Sequence, residues 1–337
     1  MERGGDSPAA RPRRRFGRLA LISVGVVLGL LLLDSAVLYS RLGSSGDRLS
    51  GSTAGGTTWL LLGSDRRGDV PAVDQKRFGT PAEVPGERAD VIVALRVGDD
   101  GAVRTLGINR DLVAIRPNAG FERLSTTLQY GPDAIADALC RSLGLGVDHI
   151  AVVRFEGLRD LVDLAGGIDV ASDAIVADRR SGLLLARGNN HLDGRLALAY
   201  VRARSIEVWD GDRWIPDPVR SAQRPQHAIE VIRELGSELD VNWADPIGLH
   251  RLAWTATAAL TVDDGSGPFD LLGLARAARS LTSDDSRTLT TRVRGGPGSD
   301  VLPMADATTE TFDEVAAFQG GRLPAGCSTP ALRRPAG

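Results

Sequence analysis

Four short clusters hold the residue types that could do chemistry, and each falls where an apolar run ends. Asp65 closes LLLGSD, just past the run Thr58–Leu62. Asp90 opens the run Asp90–Val97 (DVIVALRV), and Arg88 stands two residues before it. Arg110 and Asp111 follow Val103–Ile108 in INRD, and Arg202 and Arg204 stand two apart in YVRARS. A lone carboxylate or arginine at a strand end more often caps a turn or meets solvent than binds a ligand. Two carboxylates at the ends of neighbouring strands can instead share one divalent ion, since magnesium is commonly held by one or two carboxylates, waters and substrate phosphates. Converging arginines suit a phosphate, because the planar guanidinium pairs bidentately with its oxygens. Spacing alone does not establish convergence, so both readings stand at this point.

The elements that must position these clusters read as an alternation of strand and helix. Thr58–Leu62 and Asp90–Val97 are continuous apolar runs of strand length, as buried strands require. Val103–Ile108, His149–Phe155 and Thr288–Val293 are further strand candidates. Helical spacing appears over Pro132–Leu143, Glu156–Ala165, Leu192–Arg204, Pro225–Leu239 and Phe269–Leu281. Prolines at the start of the first and fourth suit an opening helical turn, and Gly166–Gly167 suits a helix end. The alternation predicts an α/β body over residues 58–321.

Charge and hydropathy place that body. Residues 1–18 carry six arginines against Glu2 and Asp6, a net charge of +4, and the remainder of the 337-residue chain is −7. Leu19–Tyr39 follows as an apolar stretch broken only by Asp34, long enough to span a bilayer as a helix. A cleaved signal peptide would need a small-residue site, and DSAVLYSRLGSSG offers none. The expectation is an uncleaved anchor with its basic N-terminus cytoplasmic and everything beyond Tyr39 outside. Residues 40–57, rich in Gly, Ser and Thr, read as a flexible tether, and residues 322–337 as a flexible tail. An acidic body outside a membrane excludes a nucleic-acid partner. The two cysteines, Cys140 and Cys327, exclude a four-cysteine zinc site. Both lie where disulfides persist, so the expectation is a bridge pinning the tail to the Pro132–Leu143 helix. The alternative is a buried free thiol at Cys140. A P-loop, a GxSxG elbow and a dinucleotide fingerprint are all absent.

The order of the clusters resembles the LytR-CpsA-Psr family of cell-wall glycopolymer transferases. The likeness runs from about Trp59 to Ile232, through WLLLGSD, the RAD-VIVAL strand, INRD, HIAVVRFEGLRDLVDLAGGIDV and LDGRLALAYVRAR. It implies one extracytoplasmic α-β-α domain with a mixed central sheet, behind a single transmembrane helix. It also implies transfer of a glycopolymer from a polyprenyl-pyrophosphate carrier to a peptidoglycan hydroxyl, forming a phosphodiester. Pyrophosphatase activity could accompany that transfer. By the same resemblance Asp65 and Asp90 would hold Mg2+ (or Mn2+), and Arg110 would grip the pyrophosphate and be needed for activity. Arg88, Arg202 and Arg204 would close on the same phosphates, and Asp90 is the choice for the hydroxyl's proton. The chain departs from the family pattern at Asn109, where proline is usual, and at Arg123 and Ser125, where a lysine-x-asparagine segment is usual. Its later element, RSAQRPQ, matches Arg220, Arg224 and Gln226 only with a one-residue insertion and Pro225 intruding. That change keeps open a non-catalytic relative that binds polyprenyl phosphates.

Overall fold

The computed structural model describes residues 33–44, 49, 55–65, 86–116, 120–238, 245–281, 287–295, 305–322, 324, 326 and 327. It divides into two units, Met1–Arg41 and Leu42–Gly337. In the first, residues 33–41 are helical. The basic residues 1–18 and most of the predicted membrane helix lie outside the described residues. No helix among those described is long and apolar enough to cross a membrane. Parts of the predicted tether and tail lie outside them too.

The second unit is built on a seven-stranded mixed sheet. Its first four strands in the chain are β1 (Gly43–Ser44), β2 (Gly56–Ser64), β3 (Ala89–Gly98) and β4 (Val103–Gly107). Across the sheet the order is β1, Leu260–Val262, His149–Arg154, β2, β3, β4 and Arg287–Thr290. The apolar runs TWLLL and DVIVALRV do not alternate because both of their faces are covered. Leu60 and Leu62 join Ile92, Ile150 and Val152 in one core, with the Pro132–Leu143 and Thr309–Phe318 helices packed over them. Trp59, Leu95 and Val93 face the other way, toward the Phe155–Ala165, Gly194–Arg202, Arg224–Glu238 and Pro268–Ser280 helices. Each leucine fully removed from water contributes about 1.5–3 kcal/mol, so this double core holds the fold.

Strand direction decides where the four clusters go. β2 runs antiparallel to β3, and β3 antiparallel to β4. The end of β2, the start of β3 and the end of β4 therefore share one end of the sheet. His149–Arg154 runs parallel to β2, with Arg154 opposite Ser64, and so finishes at that end as well.

Most predicted elements are present with small shifts in their ends. Gly166 and Gly167 end the Phe155–Ala165 helix at φ 89° and 106°, a backbone that L side chains rarely adopt. Leu192–Arg204 is not one helix. Leu192 pairs with Ile168 in a two-stranded ribbon, and the helix begins at Gly194, where the Asp193 carboxylate accepts from Leu196 N at 2.7 Å. The cap starts the helix later than its apolar spacing suggests. The Cys140–Cys327 disulfide expected from the sequence is present, and it fastens the chain around Pro324 to the body.

Candidate active site

Asp90 is the centre of the site. The β2–β3 register slips between Gly63 and Ser64, which pair with Val91 and Ala89, so Asp90 is the extra residue of a β-bulge. A bulge re-aims its side chain, here into the gap at the sheet end. The Asp90 carboxylate is buried; its Oδ1 accepts from Arg110 Nη1 and its Oδ2 from Arg204 Nη2. Three residues from different elements thus meet in one ionic cluster, a convergence that spacing alone left open.

Each member is held by its backbone. Asp65 follows β2 directly; its Oδ1 accepts from Arg88 N at 2.8 Å, while its own N–H donates to Arg88 O at 3.0 Å. This pair of hydrogen bonds draws the start of β3 against the end of β2, so Asp65 and Asp90 stand on adjacent strand ends. Arg110 sits in the turn after β4 with 18% of its side chain exposed. Its Nε is buried, without a hydrogen-bond partner, and lies 3.7 Å from Asp111 Oδ2. Arg204 lies two residues beyond the Gly194–Arg202 helix, with 43% of its side chain exposed.

The remaining predicted residues divide. The guanidinium of Arg202 lies over the Phe155 ring, 4.8 Å from its centroid. Phe155 follows Arg154, so this cation stands at the same sheet end but against an aromatic face. Arg88 brackets Asp65 through its backbone, and its side chain is exposed. Arg220 is committed elsewhere: Asp173 accepts from its Nη2 at 2.6 Å and Asp217 from its Nε at 3.0 Å. The side chain of Arg224 lies outside the described part of the structure. Gln226 does reach the site end, where its Nε2 donates to Thr290 Oγ1 at 3.2 Å. Pro225 explains how: a Cβ placed on Gly107 would lie 2.7 Å from Pro225 Cβ, so the helix start rests directly on the last residue of β4.

Asp178 was not singled out in the sequence. It is fully buried; one oxygen accepts from Arg180 N and Ser181 N, the other from Arg204 N at 2.6 Å and Ser205 N at 2.9 Å. Burial pushes its carboxyl up, but the four backbone donors outweigh that and hold it below the usual carboxylate range. Asp178 thereby anchors the segment that carries Arg204. Its sequence signal, an Asp three residues before a Ser in a polar turn, is too common to stand out.

The donor set fits a hard divalent cation. Asp65 and Asp90 stand on adjacent strand ends, and an ionised carboxylate offers about four lone-pair sites, more than one guanidinium per oxygen consumes. Among the described residues no cluster of three or more His, Cys, Asp or Glu could hold a metal by itself, so other ligands would have to come from substrate or water.

With this geometry in view, comparison with known proteins is direct. The LytR_cpsA_psr family model matches residues 40–214, slightly more than half of the chain. The probable cell wall biosynthesis protein LcpB of Corynebacterium glutamicum is 28% identical over 272 residues, covering 80% of this chain and 63% of that protein. The Bacillus subtilis polyisoprenyl-teichoic acid–peptidoglycan teichoic acid transferase TagT is 28% identical over 208 residues, covering 56% of this chain and 62% of TagT. The chain thus spans about three fifths of the length of these curated relatives. Among solved structures, a LytR-Csp2A-Psr enzyme from Actinomyces oris superposes with a TM-score of 0.66 at 28% identity, covering 84% of this chain and 99% of that one. TagT with bound octaprenyl pyrophosphate lipid shares the fold at a TM-score of 0.53 and 18% identity, covering 84% of this chain and 96% of that one. Family match, mixed sheet and charged sheet end agree: the chain belongs to the LytR-CpsA-Psr family.

Proposed function

We propose that this chain is a membrane-anchored phosphotransferase, its folded body outside the cytoplasm. It moves a glycopolymer from a polyprenyl-pyrophosphate carrier onto a peptidoglycan hydroxyl. The observation that carries the reading is Asp90 bridging Arg110 and Arg204 beside Asp65, a charge arrangement with little to do for the core. Phosphoryl transfer needs chiefly positioning and neutralisation of charge, which these side chains supply. The names of TagT and of the octaprenyl-pyrophosphate structure support the donor class. The arginine clusters and apolar stretch of residues 1–39 support the anchor.

In the reaction the acceptor hydroxyl attacks the sugar-linked phosphorus. A new P–O bond forms, the bond to the bridging oxygen breaks, and polyprenyl phosphate leaves. Arg110 and Arg204 each hold Asp90 through one nitrogen and offer their remaining N–H groups to the phosphate oxygens. A magnesium or manganese ion would be held by Asp65 and Asp90 and would supply further neutralisation. Asp90 is a poor acceptor for the hydroxyl's proton, contrary to the sequence expectation, because both its oxygens already receive guanidinium donors. The departing phosphate oxygen takes that proton instead. With water in place of the hydroxyl the same steps hydrolyse the carrier pyrophosphate.

One observation favours the second reading, a binder without transfer. Arg220, which the resemblance assigns to the phosphates, is held by Asp173 and Asp217. Transfer of lipid-linked polymer by purified residues 44–337, titrated with Mg2+, decides between them. Asp65→Ala is expected to raise the Mg2+ concentration for half-maximal rate and to lower the maximal rate, on the order of a hundredfold for one lost electrostatic contact. Wild-type chain that binds prenyl pyrophosphate but transfers nothing at any Mg2+ concentration establishes the binder.

A further inference from the structure

The turn that carries Arg110 is held by a residue 182 positions later, outside the span that the family model matches. Asn109 N donates to Thr291 Oγ1 at 2.9 Å, and Thr291 N donates to Gly107 O at 2.9 Å. Thr291 is buried and directly follows the Arg287–Thr290 strand, which runs parallel to β4 with Thr290 opposite Gly107. On the other side of the turn, Asn109 Oδ1 accepts from Asp111 N at 2.9 Å, and Leu112 N donates to Asn109 O at 3.2 Å. Ser125 N closes the circuit by donating to Arg110 O at 2.8 Å. The adjacent Thr290 hydroxyl accepts from Gln226. Two successive threonines thus grip the Arg110 turn and the start of the Arg224–Glu238 helix at once.

We infer that Thr291 is a positioning residue: acting through the backbone N–H of Asn109, it aims Arg110 at the phosphate. The inference rests on the phosphotransfer reading for its effect on rate. Proline in place of Asn109 would have no N–H for this bond and no side-chain carbonyl for Asp111 N. Asn109 is therefore the residue type that lets the late strand hold the turn. Arg110 Nε has no hydrogen-bond partner of its own, so the aim of the side chain depends on its backbone, on the Asp90 contact and on the looser ion pair with Asp111 in the same turn. A misplacement of about 1 Å in a catalytic group can lower rate on the order of a hundredfold.

The test uses Thr291→Val, which keeps the shape and removes the acceptor, and Thr291→Ser, which keeps the hydroxyl. Thr291→Val should lower kcat on the order of tenfold or more while KM for the lipid donor stays near wild type. Thr291→Ser should restore kcat. Asn109→Pro should lower kcat at least as far, and adding Thr291→Val to it should cost little more, because the Asn109 N–H bond that Thr291→Val breaks is already gone. A second readout needs no turnover: the Nε–Hε resonance of Arg110, assigned by its disappearance in Arg110→Lys, should move in Thr291→Val and return in Thr291→Ser. An unmoved resonance, or equal kcat losses in Val and Ser, overturns the inference. A wild-type chain that transfers nothing refutes the phosphotransfer reading and leaves the resonance test intact.

Discussion

The two ends of the central sheet carry similar residue types in opposite conditions. At one end Asp90, Arg110 and Arg204 form a cluster that opens to solvent through Arg204, with Arg110 Nε unbonded. At the other end Arg96, Asp148 and Asp263 are taken up by local structural contacts. Arg96 on β3 is only 2% exposed and donates to Thr58 Oγ1 at 2.8 Å, while Thr58 N donates to Asp148 Oδ2 at 2.8 Å. Burial lowers the pKa of the Arg96 guanidinium. Asp263 accepts from Ile150 N, from the Ser266 hydroxyl and from Gly265 N, with His149 stacked on Trp59 beside it. Residue type at a strand end does not mark a site. The difference lies in how many polar atoms the fold itself has already used.

That comparison can be broken at its structural end first. Arg96 is the largest fully buried side chain among the described residues, so Arg96→Ala leaves a cavity as well as unpaired polar groups. It should destabilise the domain by about 3–5 kcal/mol, in the range for a large buried side chain cut to alanine. The folded fraction should transfer at the wild-type rate. Denaturant melts combined with rates per folded molecule check this, and a stable but inactive Arg96→Ala would erase the distinction between the ends.

A smaller effect sharpens it. The Asp263 carboxylate, 3.6 Å from His149 Nδ1, raises the pKa of His149 above its ordinary value, against the opposing effect of burial. A raised folded-state pKa gives stability that is full below the unfolded value of about 6.5 and is lost as pH climbs through the folded value. Wild type should therefore lose melting temperature relative to His149→Gln as pH climbs above about 6.5. Parallel melting curves across that window for the two proteins would show that His149 contributes nothing by its charge.

Legibility in the sequence follows the range of the interactions. β2, β3 and β4 were readable because strands covered on both faces leave continuous apolar runs, and Asp65, Asp90 and Arg110 were readable because they end those runs. The bridge was expected because only Cys140 and Cys327 can form it. The pairing of Arg220, which the resemblance assigns to the phosphates, with Asp173 was not legible because Asp173 lies 47 residues earlier, although its other partner Asp217 stands only three residues before it. Asp178 and Thr291 escaped notice for the same reason: each acts on a backbone N–H brought near by tertiary pairing, which leaves no local pattern. Leu192 was read as helix because its apolar spacing continues past Asp193, whereas the ribbon with Ile168 claims it.

The most direct measurement of the central claim is the rate at which purified residues 44–337 move lipid-linked polymer to peptidoglycan when Arg110 is replaced. Arg110→Ala should lose on the order of a hundredfold or more in kcat per folded molecule, and it should stay folded at a lowered melting temperature, since buried Asp90 keeps Arg204 but loses its other partner. Transfer at the wild-type rate by a folded Arg110→Ala protein would contradict the account.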